Sequence, residues 1–366
     1  MGFSCGFVGL PNVGKSTLFN ALCKGGAASA NFPFCTIEPN TGIVPVPDKR
    51  LLRLAELENS KQVKPTTLEF IDIAGLVEGA SQGQGLGNQF LGHIRTVDAV
   101  CHVVRLFDDG DVVHVSGDVD PVRDLEVIVT ELMLADLESL EKRMIRFSKL
   151  KRSGIKNIPK EAELCEQYVK LLQDGEIPDT ATDDPEVQKA IKILGLITTK
   201  PAFVCANVDE ETFKNFGDTE RSKELIEYAK NHNMEVIPVC AKLEEELGQL
   251  EEDEAEMFLN ELGIDESGLS KVIHTGYSLL NYITFFTSGP TETHAWTIQK
   301  GTLAPQAAGQ IHTDMERGFI RMEVVSYDDM EEYGGWNKAK EAGKLRIEGK
   351  EYEVKDGDNI HVRFSV

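Results

Sequence analysis

The chain lacks any long apolar run. No stretch approaches the 18 or so consecutive apolar residues that a membrane-spanning helix needs. The first six residues, MGFSCG, also lack the basic region of a signal peptide and the hydroxyl side chain of a myristoylation signal. We therefore expect no membrane association and interpret the start as the first strand of a sheet.

Paired cysteines are also missing. The seven cysteines are scattered, odd in number, and never arranged as C-x-x-C. This pattern argues against a disulfide framework and against a zinc site. It predicts reduced thiols in a cytoplasmic protein.

Positive charge is scarce: 38 lysines and arginines face 61 aspartates and glutamates, for a net charge of −23. Such a balance opposes binding of the whole surface to nucleic acid or anionic membrane. One local exception is the stretch 142–160, which has eight basic residues and which a solvated helix face would also explain.

A phosphate-binding motif lies near the start. Gly9–Ser16 fits G-x-x-x-x-G-K-[ST], with an apolar run before it and helical composition after it. Glycines let the backbone aim several N–H groups at one phosphate, and the following helix adds its positive end. We predict that Lys15 reaches the β- and γ-phosphates and serves hydrolysis, and that Ser16 binds Mg²⁺. The predicted nucleotide contacts of this loop are Asn12, Val13, Gly14, Lys15, Ser16 and Thr17.

Two further elements fit a site for a γ-phosphate. Asp72 and Gly75 form D-x-x-G at the end of an apolar strand, where the carboxylate can hold the Mg²⁺ shell through water and the glycine N–H can reach the phosphate. Thr36 is placed to be a second hydroxyl ligand of Mg²⁺, although an ordinary turn would also explain it. Leu76 stands where many GTPases carry a water-orienting glutamine, so we expect slow hydrolysis.

The base site departs from that of a GTPase. At Asn207–Glu210 the chain has N-V-D-E where guanine recognition uses N-K-x-D. Val208 thus replaces the lysine, and the longer Glu210 replaces the aspartate that accepts from N1–H and the 2-amino group of guanine. Cys240, Ala241 and Lys242 occupy the place of the S-A-K loop. The sequence therefore predicts that guanine selectivity is lost.

The order of elements indicates an α/β protein with an insertion. Alternating strands and helices over 1–124 and 199–274 predict one nucleotide-binding domain with a mostly parallel sheet. Apolar residues spaced by three and four predict an inserted antiparallel helical hairpin with a coiled-coil seam over 125–198. A small α+β domain follows over 275–366, with predicted strands at His294–Ile298, Phe319–Val325, Lys350–Val354 and Asn359–Phe364.

These motifs together resemble the YchF-type, Obg-like ATPases of the translation-factor class of P-loop proteins. The resemblance rests on GLPNVGKSTLFNAL, NFPFCTIEPN, DIAGL and the N-x-x-E change, and it covers essentially the whole chain. Ala295–Ile298 and Ala304–Asp314 resemble the family's TGS domain, a ubiquitin-like β-grasp. The resemblance implies a Ras-like G domain, ATP preferred over GTP, ribosome association and a cytoplasmic site of action.

Other side chains are candidates for more specific roles. His114 most resembles the family's candidate catalytic histidine, and the alternative is a hydrogen-bonded loop histidine. We predict that His102 is a core residue and that His93 is a surface residue. Asn12 could help to coordinate K⁺, or could be a turn residue. Cys35, beside Thr36, is a redox candidate or an ordinary thiol.

The leading hypothesis is a slow ATP-hydrolysing switch that is a monomer. It would contact the ribosome through the hairpin tip at 142–160 and the TGS domain. One alternative is a GTPase of the Obg class. Another is a ribosome-binding adaptor whose nucleotide is mainly structural.

Overall fold

The protein is described from a computed structural model that places residues 3–28, 40–73, 86–108, 118–152, 160–250 and 252–365. Contacts divide the chain into two units. The first contains Phe3–Ile43 and Glu69–Leu269, and the second contains Val44–Leu68 and Ser270–Val366.

The elements follow one another in chain order. Up to the second unit's C-terminal part they are β1 (Phe3–Gly9), α1 (Lys15–Ala28), β2 (Thr41–Pro45), α2 (Lys49–Glu58), β3 (Val63–Lys64), β4 (Thr67–Asp72), α3 (Leu86–Thr96), β5 (Ala99–Arg105), α4 (Pro121–Arg152), α5 (Lys160–Gln173), α6 (Pro185–Leu194), β6 (Ala202–Asn207), α7 (Glu210–Lys214), α8 (Glu220–Asn231), β7 (Val236–Val239), α9 (Ala241–Leu247), α10 (Glu252–Glu261) and α11 (Gly268–Leu279). The remainder are β8 (Tyr282–Thr287), β9 (Thr293–Gln299), α12 (Ala304–Ile311), α13 (Thr313–Arg317), β10 (Phe319–Ser326), α14 (Tyr327–Tyr333), α15 (Trp336–Glu341), β11 (Arg346–Glu348) and β12 (Asp358–Phe364).

The first sheet has the strand order β2-β4-β1-β5-β6-β7, and β1, β5, β6 and β7 run parallel. β1 and β5 are buried along their whole length, as expected of parallel strands covered on both faces. The loops that follow parallel strands meet at one edge of the sheet. The predicted α/β architecture with a mostly parallel sheet is therefore confirmed.

The inserted helices pack through the predicted seam. On α4, Leu140 is fully buried and lies in one apolar cluster with Leu164 and Tyr168 of α5. The other seam residues pack against the same cluster: Met133, Leu137, Met144, Phe147 and Leu171. Helix α6, which the sequence did not predict, adds Ala190 and Leu194 to it.

The second sheet has the strand order β11-β10-β12-β8-β9-β3. Its central β12 runs antiparallel to β10 and parallel to β8, and β8 and β9 form an antiparallel pair. Helix α12 covers one face through the buried Ala304, Ala307 and Ala308. The strands and helix agree with the predicted β-grasp.

Two details differ from the sequence-based expectation. Residues 44–68 lie in the second unit because Leu51 and Leu54 of α2 pack with Phe286 and Trp336, whereas the sequence placed this segment in the nucleotide-binding domain. Lys350–Val354 is not a strand: Lys350 and Glu351 lie in a turn, and Glu353 makes an isolated bridge to Leu303.

His102 on β5 is the buried core histidine that the sequence indicated. Its side chain is 3% exposed, and its Nδ1 has no hydrogen-bond partner among the residues that the structure places. Burial lowers the pKa of His102 from 6.5 to about 4. The imidazole is therefore neutral in the folded protein at neutral pH.

This burial predicts a loss of stability in acid. Between pH 6.5 and 4 the unfolded chain binds a proton at His102 and the folded chain does not, so the free energy of unfolding falls as pH falls. From pH 7 to pH 5 the expected contribution is about 2 kcal/mol. Urea denaturation of the wild type and of His102→Leu at both pH values measures it. Equal losses in the two proteins would contradict the assignment.

Candidate nucleotide-binding site

The loop between β1 and α1 has the backbone that its sequence predicts. Asn12 and Gly14 adopt left-handed conformations, with φ of 65° and 87°. A Cβ atom at position 14 would lie 2.2 Å from Nδ2 of Asn207, so both the φ angle and the space require glycine there. Helix α1 then begins at Lys15, with the Leu18 N–H donating to the Gly14 carbonyl at 3.0 Å.

One carboxylate engages both reactive side chains of this loop. Lys15 is 8% exposed, and its ammonium donates to Oδ1 of Asp72. The hydroxyl of Ser16 donates to Oδ2 of the same residue over 2.9 Å. Asp72 lies at the end of β4, which neighbours β1 in the sheet. The structure thus brings together the predicted phosphate-binding and metal-binding side chains.

Asn207 fixes the base loop to the phosphate loop. Its side chain is almost completely buried and donates from Nδ2 to the Val13 carbonyl over 2.9 Å. The Asn207 carbonyl accepts from the Leu106 N–H at 2.8 Å. The sequence predicted that Asn207 contacts nucleotide but not that it holds the loop, because 194 residues separate the two partners.

The residues of the predicted base site come together at the ends of β6 and β7. Val208 is buried, and its N–H donates to the Val239 carbonyl at 3.0 Å. Cys240 is buried at the start of α9, followed by Ala241 and Lys242. Glu210 begins α7, and Asp209 caps that short helix by accepting from a backbone N–H.

An ion pair joins the two halves of the base site. Nζ of Lys242 lies 2.7 Å from Oε1 of Glu210, and both side chains are more than half exposed. The hydrogen bond from Lys242 lowers the pKa of Glu210, and the carboxylate of Glu210 in turn raises the pKa of Lys242. Both groups are therefore charged at neutral pH. Both residues were predicted for the base site from the sequence, but their pairing was not, although their opposite charges follow neighbouring parallel strands.

Several predicted site residues lie outside the described part of the chain: Cys35, Thr36, Gly75, Leu76 and His114. Their roles stay predictions. His93 is exposed on α3, in agreement with a surface role.

The strand–loop–helix at Gly9–Lys15, with the aspartate of the neighbouring strand on its lysine and serine, defines a P-loop nucleoside-triphosphate hydrolase. Comparison with known proteins identifies the family within this class. The Ribosome-binding ATPase YchF of Bacillus subtilis is 53% identical over the whole of both chains. The protein of the same name from Escherichia coli O157:H7 is 50% identical, also over the whole of both chains. The chain therefore belongs to the YchF family.

Family models and a solved structure agree with this membership. Residues 282–365 match the C-terminal model of the YchF GTPases, described as a protein of unknown function. Residues 4–145 match the family described as 50S ribosome-binding GTPase. The Schizosaccharomyces pombe YchF GTPase has 39% sequence identity and a TM-score of 0.87, over 99% of this chain and 97% of that one. The names of these relatives thus differ on the nucleotide, with ATP in two of them and GTP in the third.

Proposed function

We propose that the protein is a ribosome-associated ATPase that binds ATP in preference to GTP and hydrolyses it slowly to ADP. It would act as a regulatory switch in translation or in a stress or redox response. The observation that carries the ATP preference is the base site, where Val208 is buried and the carboxylate of Glu210 is already bonded to Lys242. The name Ribosome-binding ATPase in relatives about 50% identical supports the rest.

Mg²⁺ fits the residues around the phosphate loop. Ser16 and Asp72 offer oxygen atoms 2.9 Å apart, and oxygen is the donor that Mg²⁺ prefers. Among the described residues no group of three or more His, Cys, Asp and Glu side chains could hold a metal. In this proposal Ser16 and Thr36 ligate the ion and Asp72 holds its water shell. Bound Mg²⁺ would neutralise charge on the phosphates.

The chain's own groups would hold and orient the triphosphate. Backbone N–H groups from Asn12 to Thr17 and the ammonium of Lys15 would hold the phosphates, with Lys15 leaving Asp72 as nucleotide enters. Gly75 would add one more N–H to the γ-phosphate. His114 as the catalytic group, K⁺ beside Asn12 and a redox role of Cys35 remain hypotheses of this proposal.

For the ribosome, the hairpin tip at 142–160 is the proposed contact, together with the TGS domain. Lys142, Arg146 and Lys149 are exposed on the last turns of α4, in a chain that is otherwise strongly acidic. Basic side chains clustered in this way suit a phosphate backbone. Among the placed residues, no helix combines the length and apolar character that crossing a bilayer requires. We propose a cytoplasmic, monomeric protein.

Nucleotide specificity tests the enzymatic part. ATP and GTP compete for the site against a fluorescent nucleotide analogue, and release of phosphate from each is followed with and without ribosomes. We expect ATP to displace the analogue at lower concentration and to be hydrolysed faster. Tighter binding of GTP would favour a GTPase instead. Equal ribosome binding by the wild type and a hydrolysis-deficient variant, with and without nucleotide, would favour the adaptor.

Salt dependence tests the ribosome contact. Replacing Lys142, Arg146 and Lys149 by glutamine is expected to weaken ribosome binding and to reduce the slope of log affinity against log salt by about 2 to 3, because each lost phosphate contact removes roughly 0.7 to 0.9 units. The matched control replaces Lys189, Lys223 and Lys230, which are exposed elsewhere on the first unit. The same reduction in the control would exclude a specific role of the tip.

A further inference from the structure

The ion pair of Glu210 and Lys242 lies in the two loops of the predicted base site. The two residues lie in the first turns of α7 and α9, directly after the two strands that carry the base site. Their backbones are held independently of the pair, because Asn207 bonds Val13 and Val208 bonds Val239. The side chains of Glu210 and Lys242 are 52% and 71% exposed, so a ligand can reach them.

The pair changes what the site offers to a purine. A free carboxylate at position 210 would accept hydrogen bonds from N1–H and the 2-amino group of guanine. Here one oxygen is already bonded to Lys242 at 2.7 Å and the negative charge is balanced. The Lys242 ammonium has three N–H groups and no acceptor. At the same edge adenine presents N1 as an acceptor, whereas guanine presents N1–H as a donor.

We propose that Lys242 is a specificity-determining residue, which keeps the Glu210 carboxylate from guanine and donates a hydrogen bond to N1 of adenine. This inference rests on the proposed function, because it explains a preference for ATP. Lys242 thereby does two things in one contact. It occupies one of the two carboxylate oxygens that the two donors of guanine would need, and it supplies the donor that adenine needs.

The strength of the hydrogen bonds that Lys242 makes depends on whether a base is bound. An exposed ion pair contributes little to stability, so the lysine can turn toward a ligand at little cost. A base that covers the pair removes water from it, and a hydrogen bond to a charged group then becomes stronger. The discrimination therefore arises when the nucleotide is bound, and the free protein gains little stability from the pair.

The test changes the side chain and the ligand atom together. Lys242→Met keeps the aliphatic stem and removes the ammonium, and 1-deaza-ATP lacks the N1 acceptor of ATP. In the wild type we expect 1-deaza-ATP to bind about tenfold more weakly than ATP. In Lys242→Met we expect the two to bind equally and the ratio of GTP to ATP affinity to rise about tenfold. Calorimetry gives all the affinities.

Lys214→Met is the matched control. Lys214 lies on α7 and acts on Glu210 through charge alone, whereas Lys242 also donates a hydrogen bond. Its replacement should leave both the 1-deaza-ATP penalty and the ATP preference in place. A penalty or a preference that survives in Lys242→Met would overturn the inference alone. A wild-type preference for GTP would overturn the proposed function, whatever the variant does.

Discussion

Replacing Lys15 by methionine is expected to weaken binding of a nucleoside triphosphate about a hundredfold, since it removes a charge-assisted hydrogen bond to the phosphates. The same change should lower the stability of the free protein by about 3 kcal/mol, because it leaves the carboxylate of Asp72 without its largely buried partner. Calorimetry measures the first effect and urea denaturation the second.

The double variant Lys15→Met, Asp72→Asn separates the two effects. It removes both charges, so we expect most of the lost stability to return while nucleotide binding stays weak. Recovery of binding together with stability would mean that Lys15 acts only through the fold. In that case the loop would not be the phosphate site.

Replacing Gly14 by alanine is expected to weaken nucleoside-triphosphate binding at least about thirtyfold, because a displacement near 1 Å at such a site is enough for this loss. The added Cβ would lie 2.2 Å from Nδ2 of Asn207, which is itself bonded to the Val13 carbonyl. The loop must therefore shift, and its N–H groups no longer converge on one phosphate. Calorimetric titration with the triphosphate measures the loss.

Gly175→Ala supplies the control for backbone strain. Gly175 has a φ of 81°, close to that of Gly14, but an added Cβ there meets nothing within 4 Å. Both alanine variants should lose about 1 to 2 kcal/mol of stability from the left-handed backbone. Only Gly14→Ala should also lose nucleotide affinity. Unchanged affinity in Gly14→Ala would show that the loop tolerates the displacement.

The phosphate loop and the parallel strands were predictable because their signals are local. Gly9–Ser16 fixes its own backbone, and the strands β1, β5 and β6 are short, mostly apolar runs that end at Gly9, Arg105 and Asn207. The parallel order of these strands brings Asn207 toward the phosphate loop. The hydrogen bond from Asn207 to the Val13 carbonyl could not be predicted from either sequence motif.

Contacts between distant segments were less predictable. The length of α2 and its apolar leucines indicate a helix that buries one face, but not that the face packs with Phe286 and Trp336, more than 200 residues later. The Lys242 and Glu210 pair was visible only as two charges in two loops. The alternating pattern of Lys350–Val354 resembles a strand, yet the segment begins in a turn, and its backbone bonds with residues 302–304 amount to an isolated bridge rather than a ladder.

The second unit is completed by two parts of the chain that a ribosome makes at different times. Leu51 and Leu54 emerge early, whereas Phe286, Val325 and Trp336, which cover them, follow only after residue 270. About 200 residues lie between the parts, which at 5–20 residues per second takes roughly 10 to 40 s. During synthesis α2 must therefore wait with its apolar face uncovered. A fragment that begins at residue 275 would have the converse defect, an apolar groove without its helix.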